Sequence, residues 1–398
     1  MREAVITGLG AISAHGLSVS ALWSDLKEGV SAIRPLASPY DSTKIKIGAM
    51  VPDYTPEDHF ESDALSYLDR FSQYAVIAAK EAVTDAGLTS SQITGAAAII
   101  GSGCGGKETD ELTYDRLYRQ GMQRAHPMTI PRGMPSAAAS AVSSHIGTKG
   151  PAMLVSSACA SGAHAIIQGA IMIQTGIVDV AIVGASDAPF TNGLLKSWEA
   201  LRVTTDDTCR PFSADRSGIV LGEGAGIVVL ETAEHAAQRE AEVYATIAGF
   251  GMTADAGHIT RPDLDGITRA LSNALTMAHM EPGQIDHINA HGTGTIANDS
   301  TESTAINQLF GQGEGAPAVS STKSMHGHAL GAASALEFIA TSLAVKHNIV
   351  PPTANVTSTA PDCDINLICG NSVDTEIKAA MSNSFAFGGL NACVVITK

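Results

Sequence analysis

Three short passages of this 398-residue chain occur twice, in the same order. Ala4-Val-Ile-Thr-Gly-Leu-Gly returns as Ala245-Thr-Ile-Ala-Gly-Phe-Gly, each with glycines two apart. CASGAHAIIQGAI from Cys159 returns as HALGAASALEFIA from His328, aligning Gly162 with Gly331. GEGAGIVVL from Gly222 returns as GGLNACVVI from Gly388. Ordered repetition of this kind marks a duplicated unit. Strand-like and helix-like runs alternate in both copies, which implies a layered α/β fold. The duplication also puts Cys159 and His328 at the same kind of place, the start of a helix.

The helix after Cys159 has small or apolar residues on nearly every face (Gly162, Ala163, Ala165, Ile166, Ile167, Ala170), so it is read as buried. A thiol at the first turn of such a helix lies at the positive end of its dipole. That predicts a pKa below the free value of roughly 8.5. Most free cysteines are simply small core residues, so the neighbours must decide.

Composition removes several classes. Hydrophobic residues make up 44% and charged residues 16%, which excludes disorder, and a net charge of −16 argues against general nucleic-acid binding. Met1 to Gly10 has no signal-peptide character, and no apolar run is long enough to span a membrane. Six cysteines without C-x-x-C spacing fit a reduced, cytoplasmic chain.

Along the chain, Ala4 to Ile6 reads as a strand ending in a tight turn at Gly8-Leu9-Gly10. With Ser13 at the third glycine position, this is no dinucleotide fingerprint. Ala21 to Glu28 and Leu65 to Ala86 read as helices. Ala96 to Ile100 is a strand entering Gly101 to Lys107, which imitates a P-loop but has Glu108 where a Ser/Thr belongs. Glu111 to Pro135 is expected to be an irregular surface excursion. Val178 to Val183 reads as a strand, Leu194 to Leu201 as a short helix, and Gly218 to Glu231 as a glycine-kinked hairpin.

Four groups then stand out in small-residue surroundings: Cys159; His291 in NAHGTGT; Lys323 and His328 in SSTKSMHGH; and Phe387 in NSFAFGG. One thiol and two imidazoles in a dry site suit acyl transfer. The thiolate takes the acyl group, backbone N–H groups hold a tetrahedral oxyanion, and neutral imidazoles hold an enolate oxygen. A buried Lys323 needs a carboxylate, and Glu337 is nine residues past His328 on the presumed helix. A zinc site from His326, His328 and Cys159 is weak by spacing, and His326 alone reads as a core residue.

The chain resembles the elongating β-ketoacyl-[acyl carrier protein] synthases of thiolase fold. The resemblance runs nearly end to end through VITGLGAIS, SSACASGAHAI, RPFSADRSGIVLGEGAGIVVLE, NAHGTGT, SSTKSMHGHALGAASALE, VPPTANV and NSFAFGG. Cys-His-His with K-S-x-x-G-H separates it from initiating synthases and from thiolases. MPSAAAS, LKSWEALRV and the Lys323 segment look like a specialised branch that includes the nodulation E protein and aryl-polyene and type II polyketide ketosynthases.

The resemblance implies duplicated βαβαβαββ halves, 1–240 and 241–398, in five α-β-α-β-α layers. It implies that Cys159 carries the acyl chain, His291 and His328 support malonyl decarboxylation, and Lys323 with Glu337 organises them. The N–H groups of Cys159 and Phe387 would form the oxyanion hole, with Phe387 also gating. Thr293 and Thr295 would contact the phosphopantetheine arm, which arrives on an acyl carrier protein, so no bound cofactor or metal is expected. Cys104 and Phe385 fall at substrate-contacting positions, Cys104 near the acyl-pocket floor at a dimer interface. Members are dimers, so a homodimer or a heterodimer with a chain-length-factor-like subunit is expected. Being such a non-condensing subunit is the alternative, disfavoured by the intact Cys159. Glu61 to Tyr67 lacks the usual basic residues, leaving Arg70, Arg202 and Arg210 as carrier-docking candidates. Ala386 replaces the usual glycine before Phe387, and Leu390 the usual threonine after the double glycine. The reading is a decarboxylative Claisen condensation in a specialised fatty-acid, polyene or polyketide pathway.

Overall fold

The computed structural model describes residues 2–36 and 40–398. Ten strands form one mixed sheet. In chain order they are β1 (Ala4–Ile12), β2 (Ala97–Gly101), β3 (Ala152–Val155), β4 (Val180–Asp187), β5 (Gly224–Thr232), β6 (Ala245–Ala254), β7 (His287–Asn289), β8 (Ala318–Ser320), β9 (Ala379–Ala386) and β10 (Leu390–Thr397). Their order across the sheet is β8-β7-β9-β10-β6-β1-β5-β4-β2-β3. Read from its outer edge, each half has the same arrangement: third, second, fourth, fifth and first strand of its copy. From the outer edge, the first two pairings are parallel and the other two antiparallel in both halves. The halves join where the two echoed strands meet, Ala4 opposite Ile247 and Ile6 opposite Ala245.

Among the helices of the described residues, six make the main part of the remaining layers: α1 (Arg70–Asp85), α2 (Ala137–Ile146), α3 (Ser161–Gln174), α4 (Leu264–Ala278), α5 (Ile296–Phe310) and α6 (Gly331–His347). Helices α1 and α2 cover the first half-sheet, and α4 with α5 covers the second. Helices α3 and α6 pack on each other between the half-sheets. The period of two in a strand explains why both sheet faces are apolar. On β5, Val228 and Leu230 enter the central core, while Ile227 and Val229 enter the core under α1. On β10, Val394 and Ile396 face the centre, while Cys393 and Val395 face α4. Each such aliphatic side chain contributes roughly 1.5–3 kcal/mol on burial. Among the described residues, no helix is long and apolar enough to cross a membrane.

Four local expectations are corrected. Gly8 and Gly10 are not a turn, because β1 runs through them to Ile12. A Cβ on Gly10 would lie 1.9 Å from the Ala78 carbonyl oxygen of α1, and one on Gly251 would lie 2.0 Å from that of Ala270 on α4. The repeated glycines let a helix backbone lie directly on the strand. The Leu65–Ala86 helix is broken: a short helix ends at Leu65, and α1 begins afresh at Arg70, with the Asp69 side chain accepting from the Phe71 N–H. Gly218 to Glu231 is not a hairpin, since only Gly224–Thr232 is a strand of the sheet. The preceding run bridges Leu221 to His328 instead. The Glu111 to Pro135 excursion is more ordered than expected, with helical turns at Asp115–Arg119 and Thr129–Gly133. It exposes Tyr118 and Ile130.

Candidate active site

Cys159 sits in a 3-10 turn, Ala158–Ala160, one turn before α3. Ala158 has φ +49, a left-handed conformation that costs a residue with a Cβ about 1–3 kcal/mol. The turn is held by Ser161, whose Oγ donates to the Ala158 carbonyl at 2.6 Å and accepts from the Ser157 N–H at 2.9 Å. The thiol therefore projects from a strained turn into a cavity instead of packing against the body of the helix.

Opposite it, His328 is fixed by its backbone. Its N–H donates to the Val220 carbonyl at 2.7 Å, and its own carbonyl accepts from the Gly222 N–H at 2.9 Å. This explains why Ile219 to Gly222 lies where it does. His291 is held in the same way, its N–H and that of Gly292 each donating at 2.8 Å to the Glu302 carboxylate. The two imidazoles meet edge to face with centroids 5.7 Å apart, and Phe385 lies 6.1 Å from His291.

Behind them Lys323 is wholly buried. Its ammonium pairs with Glu337, donates to the His291 carbonyl at 2.6 Å, and lies 3.2 Å from His291 Nδ1. An ammonium has only protons to offer. His291 Nδ1 must accept, so the ring's own proton sits on Nε2. Burial, with the Lys323 charge adding to it, holds both histidines well below the usual 6.5, so both are neutral. Burial pushes Glu337 up to about 7, against the pull of Lys323. His326 is a core residue with both ring nitrogens engaged, by Gly327 O at 2.8 Å and Thr322 Oγ1 at 3.0 Å.

The expected low thiol pKa is corrected. Burial pushes the Cys159 thiol up to about 11, although the Lys323 charge and a hydrogen bond from the Phe387 N–H favour thiolate. Desolvation in a dry pocket disfavours the charged sulfur. Burial thus favours the protonated thiol at rest. Its alkylation by iodoacetamide, followed on the Cys159 peptide, is expected to keep rising up to pH 10, with no plateau near 8.5.

Phe387 lies in the turn between β9 and β10, and its ring stacks on Trp198, 6.1 Å away and tilted by 28°. One cavity of about 100 Å³ is lined by Cys159, His291, His328, Phe385, Phe387 and Trp198, with Thr293 and Thr295 also on its wall. The two threonine hydroxyls are 2.9 Å apart. Cys104 does not line this cavity. Its backbone and thiol donate to Asp187, at 3.1 and 3.2 Å, and it packs in the apolar cluster of Trp198, Leu330 and Phe387. The docking arginines are not brought together as a free patch. Arg70 lies 3.5 Å from Glu108, Arg210 is gripped by Asp207 and Asp215, and only Arg202 of the three is exposed without an ion pair among the described residues.

Sequence reasoning missed three supporting carboxylates. Glu302 and Asp299 share one face of α5 just after NAHGTGT, Asp299 accepting from the Phe212 and Thr293 N–H groups at 2.8 and 3.0 Å. Asp187 accepts from the Gly103 and Gly331 N–H groups, both at 2.8 Å, tying the Gly101 loop to the start of α6. Their signal was visible: an i, i+3 acidic pair beside a histidine loop, and an aspartate ending a buried strand.

This fold and site define a condensing acyltransferase of thiolase-like architecture. The description "Beta-ketoacyl synthase, N-terminal domain" matches residues 1–236 and "Beta-ketoacyl synthase, C-terminal domain" matches 244–357. The chain belongs to the β-ketoacyl synthase family. It is 46% identical over 398 residues to nodulation protein E of Rhizobium leguminosarum bv. trifolii, covering 98% of each chain. It is 39% identical over 410 residues to 3-oxoacyl-[acyl-carrier-protein] synthase 2 of Staphylococcus aureus (strain COL), covering 100% of this chain and 98% of that one. The solved structure of the ishigamide ketosynthase/chain length factor superposes with a TM-score of 0.96 at 36% identity, over 100% of this chain and 99% of the other.

Proposed function

We propose that this chain is a 3-oxoacyl-[acyl carrier protein] synthase acting in the cytoplasm, in a specialised fatty-acid or polyene/polyketide pathway. The observation that carries the reading is the convergence of Cys159, two neutral imidazoles and the Phe387 N–H on one cavity. The Cys159 sulfur, losing its proton, attacks the acyl-carrier thioester and releases the carrier thiol. The N–H groups of Cys159 and Phe387 stabilise the oxyanion. Malonyl-carrier then loses CO2, and the enolate oxygen takes N–H bonds from His291 Nε2 and from His328. The enolate carbon attacks the Cys159 thioester and expels the thiolate, which is reprotonated. The product is 3-oxoacyl-carrier. CO2 release drives the step, so neither a metal nor a redox cofactor is required. Thr293 and Thr295 flank the phosphopantetheine arm.

The specialised pathway rests on likeness to nodulation protein E and on Trp198, which fills space beside Phe387. The duplicated strand order supports division into a 1–240 half carrying the nucleophile and a 241–398 half carrying both histidines. The half-exposed edge strand β3 supports a dimer, of this chain with itself or with a chain-length-factor-like subunit. Carrier docking through Arg70 or Arg210 requires the carrier's carboxylates to displace the present acidic partners, which leaves Arg202 the most available.

Intact-protein mass spectrometry after incubation with a panel of acyl-carrier proteins tests the reading. The expected result is an acyl adduct on Cys159 and, with malonyl-carrier added, a 3-oxoacyl product. A folded chain that takes no acyl group, alone or with its partner subunit, would be a non-condensing subunit.

A further inference from the structure

The wall of the cavity carries one cation, Arg261, among the described residues. It belongs to the loop from Asp255 to Asp263, which closes on itself. Asp255 Oδ2 accepts from the Asp263 N–H at 3.2 Å, and Oδ1 accepts from Asn391 Nδ2 at 2.6 Å. Both oxygens of the single carboxylate on the wall are thus occupied. The middle of the loop is tied to the Phe387 turn, where the Gly388 N–H donates to the Ile259 carbonyl at 2.6 Å and the Asp255 N–H donates to the Gly389 carbonyl at 3.0 Å. Arg261 is exposed at the rim and has no ion pair or hydrogen bond among the described residues. In a chain with 40 acidic residues against 24 basic ones, an unpaired guanidinium at the mouth of the reaction cavity is available for an anion brought from outside.

We propose that Arg261 binds the phosphodiester of the incoming carrier arm and so selects phosphorylated over unphosphorylated thioester donors. The inference rests on the ketosynthase reading and names a recognition contact of that same site. Two anions enter such a cavity, the phosphodiester and the malonyl carboxylate. Burial separates them. Cys159, His291 and His328 at the floor are at most 7% exposed, and the malonyl carboxylate must reach that floor to be lost beside the histidines. The phosphodiester is the far end of the arm, next to the carrier, and stays at the rim where Arg261 stands. The planar guanidinium matches two phosphate oxygens at once. Thr293 and Thr295 supply hydroxyls along the same wall, so the arm meets neutral donors inside and a charge at the entrance.

The test compares acyl-phosphopantetheine with acyl-pantetheine as donors to Cys159, read as initial rates of adduct formation by intact mass. The wild type is expected to prefer the phosphorylated donor in KM by about tenfold, a preference that shrinks at high salt. In Arg261→Ala the preference should fall to about twofold or less, and Arg261→Lys should restore part of it while losing the bidentate geometry. A preference that survives Arg261→Ala overturns the proposal. So does an equal slowing of both donors, which would mean that the loop merely holds the Phe387 turn. Loss confined to decarboxylation of malonyl-pantetheine, which has no phosphate, would assign Arg261 to the malonyl carboxylate and overturn it too. A folded wild type that neither donor acylates, alone or with its partner subunit, would instead sink the ketosynthase reading.

Discussion

Replacing Cys159 with alanine is expected to abolish the acyl adduct from every carrier and to lower condensation by at least about 10³-fold, the scale on which covalent catalysis collapses without its nucleophile. His291→Ala and His328→Ala should separate the steps. Both should still accept an acyl group on Cys159, because the Cys159 and Phe387 N–H groups that would hold that oxyanion are backbone and remain. Both should lose malonyl decarboxylation by about 10²–10³-fold, the typical cost of one preorganised donor to a developing oxyanion. His291→Gln offers a sharper form, because an amide N–H can replace part of what a neutral imidazole gives. Neutrality matters here, since burial holds both rings well below 6.5. Decarboxylation should therefore not fall between pH 6 and 8 through titration of these residues. Adduct mass and release of labelled CO2 measure the two steps. If His291→Ala failed to load while remaining folded, the division of labour would be wrong.

Much of this site was legible in the sequence because its backbone demands are written in small residues. The repeated glycines of Gly8, Gly10, Gly249 and Gly251 mark two places where a helix backbone touches a strand, and the echo of Cys159 in His328 placed both groups before an interior helix. Local readings failed where tertiary contacts overrode local pattern. Gly8-Leu9-Gly10 resembles a turn only when α1 is absent, and Gly218 to Leu221 resembles half a hairpin until His328 takes its backbone groups. The thiol pKa failed for a related reason. A helix dipole can be read from sequence, but the desolvation that opposes it depends on α6 and the Phe387 turn closing over Cys159. Arg261 had no sequence signal at all, because a loop arginine becomes informative only once the cavity it borders is known.

The Lys323–Glu337 pair carries the largest expected effect on stability. Both side chains are at most 1% exposed, so removing one partner leaves a buried charge. Lys323→Met is expected to destabilise the fold by about 3–5 kcal/mol, the range for broken buried pairs. The sign of its pH dependence follows from Glu337, already pushed by burial up to about 7 and robbed here of the ammonium that favours its charged form. A carboxyl whose folded pKa lies above its unfolded value binds more protons folded than unfolded in that interval. Stability then falls as pH rises through it. Lys323→Met should accordingly lose more stability at pH 8 than at pH 5, measured by urea unfolding. Adding Glu337→Leu removes the stranded carboxylate and should recover most of the loss, as apolar replacements of buried pairs often do. Activity should not return. The double variant has no ammonium at His291 Nδ1, so nothing holds the imidazole proton on Nε2, and malonyl decarboxylation should stay at least about tenfold low while acyl loading recovers with the fold. Recovery of both would mean that the pair serves stability alone.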